Sequence, residues 1–164
     1  MSSYVFDIEA NGLEPDRVWC AVFLDTETGE FTEFYSEEGF TVANSKVLRE
    51  FVNNADCLIG HNILGYDIPV LQDVIDINHM TGRLVDTLVW STVARKWRHA
   101  HSVESYGEEY GIPKPKHEEW DKFSEEMLHR CREDVKIQHK IWRGLCQETE
   151  EWQGYCLKER AKRK

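Results

Sequence analysis

Nowhere in this chain do apolar residues run unbroken for the roughly 20 positions a membrane-spanning helix needs. Met1-Ser2-Ser3-Tyr4 has neither the basic nor the apolar region of a signal peptide, so the expectation is a protein with no membrane partner. The cysteines (Cys20, Cys57, Cys131, Cys146 and Cys156) are odd in number and never spaced C-x-x-C. Neither a disulfide framework nor a zinc site is suggested, and a reducing cytoplasm fits best, the host's if the chain is phage-encoded. Cys20 and Cys57 lie in apolar runs and are expected as small core residues. Positive charge is also scarce: 20 Lys and Arg stand against 30 Asp and Glu, for a net charge of −10. Such a balance excludes a broad electrostatic grip on duplex nucleic acid, but not the capture of a chain end. Five of the basic residues gather in a tail over 158–164. No repeat, low-complexity stretch or linker divides the 164 residues, so one domain over 1–164 is expected.

What the chain does have is acid in the wrong places. Asp7 and Glu9 interrupt the apolar run Tyr4-Val5-Phe6-Asp7-Ile8-Glu9-Ala10, which otherwise reads as a buried strand. Side chains two apart on a strand share a face, so both carboxylates point the same way. Two like charges in a poorly solvated place are costly unless a cation lies between them, and a divalent metal is the natural candidate. The anomaly recurs. Asp67 heads the helical series Val70, Leu71 and Val74, and Asp134 heads Ile137, Ile141 and Leu145, so each acid lies on an inward stripe. One cluster of Asp7, Glu9, Asp67 and Asp134 would explain all three.

The remaining pattern is mixed. Strands are expected over Tyr4–Ala10, Val18–Leu24 and Phe31–Tyr35, joined by short turns as an antiparallel meander. Helices over Val47–Val52 and Ile68–Ile77 then alternate with short strands at Asp56–Gly60 and Leu84–Val85. Helical pattern follows over Thr87–Lys96, over Ser102–Tyr110 and from about Glu119 onward, broken by Gly111-Ile112-Pro113-Lys114-Pro115. The expected class is α/β, a mixed sheet with helices packed on it.

Three segments carry a family resemblance: Asp7-Ile8-Glu9-Ala10-Asn11-Gly12-Leu13, His61-Asn62-Ile63-Leu64-Gly65-Tyr66-Asp67 and His129-Arg130-Cys131-Arg132-Glu133-Asp134-Val135. In order and separation they resemble the three motifs of the DEDD (DnaQ-like) 3′→5′ exonucleases. Within that superfamily the chain is most similar to the proofreading domains of phage A-family DNA polymerases, with Asp86-Thr87-Leu88 and His101-Ser102-Val103-Glu104-Ser105-Tyr106-Gly107 as secondary likenesses. The resemblance implies a ribonuclease-H-like fold with a five-stranded mixed sheet, antiparallel meander first and parallel strands after. A Tyr would lie four residues before Asp134 in one branch, but that position is Arg130. His129, five before, matches the His branch. Five positions at about 100° each turn His129 roughly 140° from Asp134, so its use as a base requires the helix to break or begin near Arg130.

The resemblance further implies a metal-dependent hydrolase that releases nucleoside 5′-monophosphates from single-stranded or mispaired DNA 3′ ends, in proofreading or DNA processing. Oxygen-only ligands suit two Mg²⁺ or Mn²⁺ ions and disfavour zinc. Asp7 would bridge the ions, Glu9 and Asp134 would bind chiefly the one carrying the nucleophile, and Asp67 would act through the second. His129 would take the proton from the attacking water. Leu13 would pack on the terminal base or merely on its turn, and Asn62 and Tyr66 would contact substrate or cap and fill the fold. The basic and aromatic run from Arg95 to His101 either holds a single strand or is a solvated helix end. RNA trimming, a non-catalytic subunit bound to a separately encoded DNA polymerase, and a junction resolvase remain as alternatives.

Overall fold

The computed structural model describes residues 2–113 and 115–162, without the side chains of 152–162. Three strands come first: β1 (Ser3–Ala10), β2 (Val18–Asp25) and β3 (Phe31–Phe40). Helix α1 (Lys46–Asn54), strand β4 (Cys57–Gly60), helix α2 (Asp67–Ile75) and strand β5 (Arg83–Asp86) follow. Helices α3 (Thr87–Ala94), α4 (Val103–Tyr110) and α5 (Glu125–Lys162) complete the order. The sheet is ordered β3-β2-β1-β4-β5, with β1–β2 and β2–β3 antiparallel and β1–β4 and β4–β5 parallel. This is the mixed five-stranded, ribonuclease-H-like sheet expected from the sequence.

Alternation along β1 assigns its two faces. Phe6, Ile8 and Ala10 pack with Leu48 and Val52 of α1 and Ile68, Leu71 and Val74 of α2, where Phe6 stacks on Phe23 at 5.5 Å. Val5 points the other way, into Trp19, Val22 and the α5 residues Met127, Leu128, Cys131 and Val135. Asp7 and Glu9 share the parity of Val5 and therefore face α5. Farther along α5, Ile137, Ile141 and Leu145 are fully buried around Tyr106 of α4. At about 1.5–3 kcal/mol for each such side chain, this stripe fixes the helix against the sheet, and the position of Asp134 with it.

Two element boundaries differ notably from the sequence pattern. Strand β3 runs on to Phe40, because Phe40 still pairs with Val18 after an irregularity in the ladder. Helix α5 starts at Glu125 rather than near Glu119. Ser124 Oγ accepts the Met127 N–H at 3.1 Å, and Glu125 and Glu126 fill the first turn, both favourable at a helix start. The preceding residues form a strap over the sheet, in which Trp19 Nε1 donates to the Trp120 carbonyl at 2.8 Å and Phe123 stacks on Tyr35. Cys20 and Cys57 are buried core residues, as expected. Among the described residues no helix is long and apolar enough to cross a membrane. The basic run over 158–164 falls outside the described side chains.

Candidate active site

The parallel strands β1, β4 and β5 end at one edge of the sheet, where α/β folds open their ligand crevices. A cleft of about 650 Å³ opens there, and Asp7, Glu9, Asp67 and Asp134 all line it. Asp7, Glu9 and Asp134 each bring a carboxylate oxygen within 4.8 Å of the others. Strand period supplies the first two and the inward stripe of α5 the third. Three hard oxygens at this spacing fit a Mg²⁺ or Mn²⁺ ion better than zinc.

Asp67 stands beside this trio, at the first residue of α2. Its Oδ1 accepts the Ile8 N–H at 3.3 Å. Burial, and next the charge of Asp7, hold its carboxyl well above the usual carboxylate range. Two α5 side chains meet Asp7. Gln138 Nε2 donates to Asp7 Oδ1 at 2.8 Å, while Gln138 Oε1 accepts the His61 N–H at 3.0 Å. Turning that amide over would set acceptor against carboxylate and donor against N–H, so its orientation is fixed. The Cys131 thiol donates to the Asp7 carbonyl at 3.3 Å and lies 3.6 Å from its Oδ2. Burial pushes that thiol well up.

Arg130 lines the cleft as a cation among the acids. Its Nε donates to Glu9 Oε1 at 3.2 Å and its Nη1 to the Pro115 carbonyl at 2.9 Å, with the guanidinium over the Trp120 ring. His129 does not share that place. Helix α5 is unbroken from Glu125, so the turn that would carry the imidazole to the acids is absent, and His129 is an exposed residue outside the cleft lining. The expected break near Arg130 does not occur because the helix already has its cap at Ser124, and no proline follows Pro115.

The substrate candidates divide. Leu13 is 90% exposed, which rules out its reading as a turn-packing residue. With Tyr66 and Trp120 it lines a small recess beside Glu9. Tyr66 donates its hydroxyl to the Gly12 carbonyl at 2.5 Å, and burial, assisted by Asp67, Glu9 and Asp7, pushes its phenol up to about 12. Asn62 lines the cleft at a left-handed φ of 64°, a conformation Asn tolerates. Asp86 holds that turn in place. It accepts the N–H groups of Asn62 and Leu64 while also capping α3 through Leu88 and Val89. His61 also lines the cleft, buried against Thr87 and edge-on to Tyr106.

A family model described as RNase_H superfamily (RNase_H_2) matches residues 4–112. The chain belongs to the RNase H superfamily. No curated protein matches its sequence significantly. Among solved structures, Brucella melitensis NrnC superposes with a TM-score of 0.71 at 21% identity, covering 92% of this chain and 75% of that one. NrnC bound to pGG gives a TM-score of 0.71 at 20% identity, covering 92% of this chain and 74% of that one. The family B DNA polymerase of Pyrobaculum calidifontis gives 0.57 at 17% identity, over 89% of this chain but 24% of the polymerase. The RNase H fold is common to them all.

Arg130 and Gln138 line or brace the cleft and were missed as site residues by sequence pattern. Of the Arg95–His101 run, His101 lines the cleft and the other six residues do not. Arg95 is buried on Glu148 and Tyr106, and Arg98 pairs with Glu109 and Ser105, which leaves Lys96, Trp97 and His99 outside.

Proposed function

We propose that this RNase H superfamily member is a DEDD-type, metal-dependent 3′→5′ exonuclease that releases nucleoside 5′-monophosphates from single-stranded or frayed DNA ends. The observation that carries the reading is the convergence of Asp7, Glu9 and Asp134, from a strand and a distant helix, within 4.8 Å at the sheet edge. Nothing in packing favours such a trio; a divalent ion does. Two Mg²⁺ or Mn²⁺ ions, when bound, would activate the attacking water and stabilise the departing 3′-oxygen.

The chain's own residues perform the remaining tasks. Asp7, Glu9 and Asp134 would hold the ions, with Asp7 presented by Gln138, and Asp67 would complete the site from α2. Leu13 and Tyr66 offer an apolar seat for the terminal base. Arg130 balances Glu9, and a metal held by that carboxylate would leave the guanidinium available to the phosphate. His129 is left without a part in proton transfer, so no side-chain base is assigned to it.

A second reading replaces DNA by short RNA, favoured by the likeness to NrnC, a structure of which holds pGG. A role beside a separately encoded polymerase rests on the weaker structural likeness to a polymerase. The test is metal replacement on 5′-labelled single-stranded oligomers. EDTA should stop digestion, and Mg²⁺ or Mn²⁺ should restore it. Restoration by Zn²⁺ alone, or digestion indifferent to EDTA, would overturn the assignment.

A further inference from the structure

A chain of hydrogen bonds runs through the α3–α4 side of the cleft and ends on His101. It begins at Arg95, a buried guanidinium whose Nε and Nη2 are taken by Glu148. Arg95 Nη1 donates to Tyr106 Oη at 2.9 Å. An arginine cannot accept, so the direction of this first link is fixed. Tyr106 is fully buried, and its hydroxyl lies 2.5 Å from Ser91 Oγ, itself fully buried. Were Ser91 the donor, the Tyr106 hydrogen would have no acceptor among the described residues, at a cost of about 1–3 kcal/mol. Tyr106 therefore donates to Ser91.

The Ser91 hydroxyl hydrogen is then directed to His101 Nδ1, 2.7 Å away. With Nδ1 accepting, neutral His101 carries its proton on Nε2. His101 is partly buried and lines the same cleft as the acids. A ring fixed in this tautomer is a hydrogen-bond donor to the cleft in both its neutral and its charged form. It cannot accept a proton from water at Nε2. A strand entering an acid-lined cleft needs such donors, since its phosphates are repelled by the carboxylates that must hold the metal.

We infer that His101 is a substrate-binding residue that donates its Nε2–H to an oxygen of a backbone phosphate of the bound strand. This rests on the nucleic-acid reading above. The proposal adds the residue, the atom and the chemical group it recognises.

The test is binding of a 5′-fluorescein-labelled oligothymidylate, followed by anisotropy in Ca²⁺, with the parent and three variants. His101→Ala should weaken binding about tenfold, the loss of one hydrogen bond to a charged group. His101→Gln, whose amide N–H reaches the place of Nε2, should recover most of it. His101→Asn reaches only the place of Nδ1 and should bind as poorly as His101→Ala. Thermal midpoints within a few degrees of the parent confirm that the half-exposed site folds in all three. If His101→Ala binds like the parent, or His101→Gln is as weak as His101→Ala, the inference is overturned and His101 only anchors its loop. A parent that binds no strand overturns the nucleic-acid reading itself and this inference with it.

Discussion

The two walls of the cleft are built on opposite terms. On the β1–α5 wall, carboxylates from three elements face one another, and burial with a neighbouring charge holds Asp67 well above its usual range. On the α3–α4 wall, polar groups close on the protein itself: Asp86 accepts four backbone N–H groups, and Arg95 is bound by Glu148 and Tyr106. The acid wall gathers carboxylates whose charge Arg130 offsets in part, at Glu9, whereas the opposite wall uses its polar groups to hold a shape. On the proposed function, the difference separates the part of the site that would do chemistry from the part that would position its substrate.

The comparison breaks first at Asp7. Asp7→Asn should lower hydrolysis by roughly 10³-fold, the consequence of several kcal/mol of lost charge stabilisation, in steady-state assays with Mg²⁺. Its metal-free thermal midpoint should equal or exceed the parent's, because one repelling charge is gone. A folded Asp7→Asn variant with near-parental rates would end the two-wall account.

Gln138 comes next. Gln138→Met keeps the volume and removes the donor to Asp7, and should weaken Mn²⁺ binding about tenfold by electron paramagnetic resonance, within the range seen when groups that orient metal ligands are replaced. Unchanged Mn²⁺ affinity would show that Asp7 needs no orientation from α5.

A smaller effect is expected from pH. Asp67 has its carboxyl raised in the fold, so the fold favours the protonated form that the unfolded chain gives up near pH 4. Its contribution to metal-free stability is therefore fullest below that pH and is lost as pH rises through the raised value. Thermal midpoints of EDTA-treated protein from pH 4.5 to 8 should fall with rising pH more steeply in the parent than in Asp67→Asn. Equal slopes would place the strain elsewhere.

The smallest effect belongs to His129. As an exposed residue on an unbroken helix, its replacement by Ala should leave kcat within about twofold, since surface changes of this kind seldom exceed 0.5 kcal/mol. A loss of 10² or more would mean that α5 unwinds ahead of Arg130 when substrate binds.

The four acids were legible because each breaks a local pattern: period two on β1, and the inward stripe on α2 and α5. The antiparallel meander and the later short strands were legible as pattern, while the parallel addition of β4 and β5 came only from the family resemblance. Gln138 was not legible, since its partner Asp7 lies 131 positions away and a lone Gln on an apolar stripe carries no signal. Arg130 was read only as the absence of a Tyr, although it meets Glu9 across 121 positions. The reading of His129 put motif spacing above helix signals that were already present. Ser124-Glu125-Glu126 begins a helix, and nothing between there and Lys162 ends it. Gly144 was a further unread sign, because a Cβ there would come 2.8 Å from Arg95 Nη2, close against the contact with Glu148.

Product analysis tests the central claim most directly. Matched single-stranded DNA and RNA oligomers, labelled at the 5′ end and incubated with Mg²⁺, should shorten one nucleotide at a time from the 3′ end, and chromatography should recover nucleoside 5′-monophosphates. The same preparation carrying Asp7→Asn should leave both oligomers intact. Internal cuts from the outset, 3′-phosphorylated products, or equal degradation by Asp7→Asn would contradict the assignment of the acid wall as an exonuclease centre.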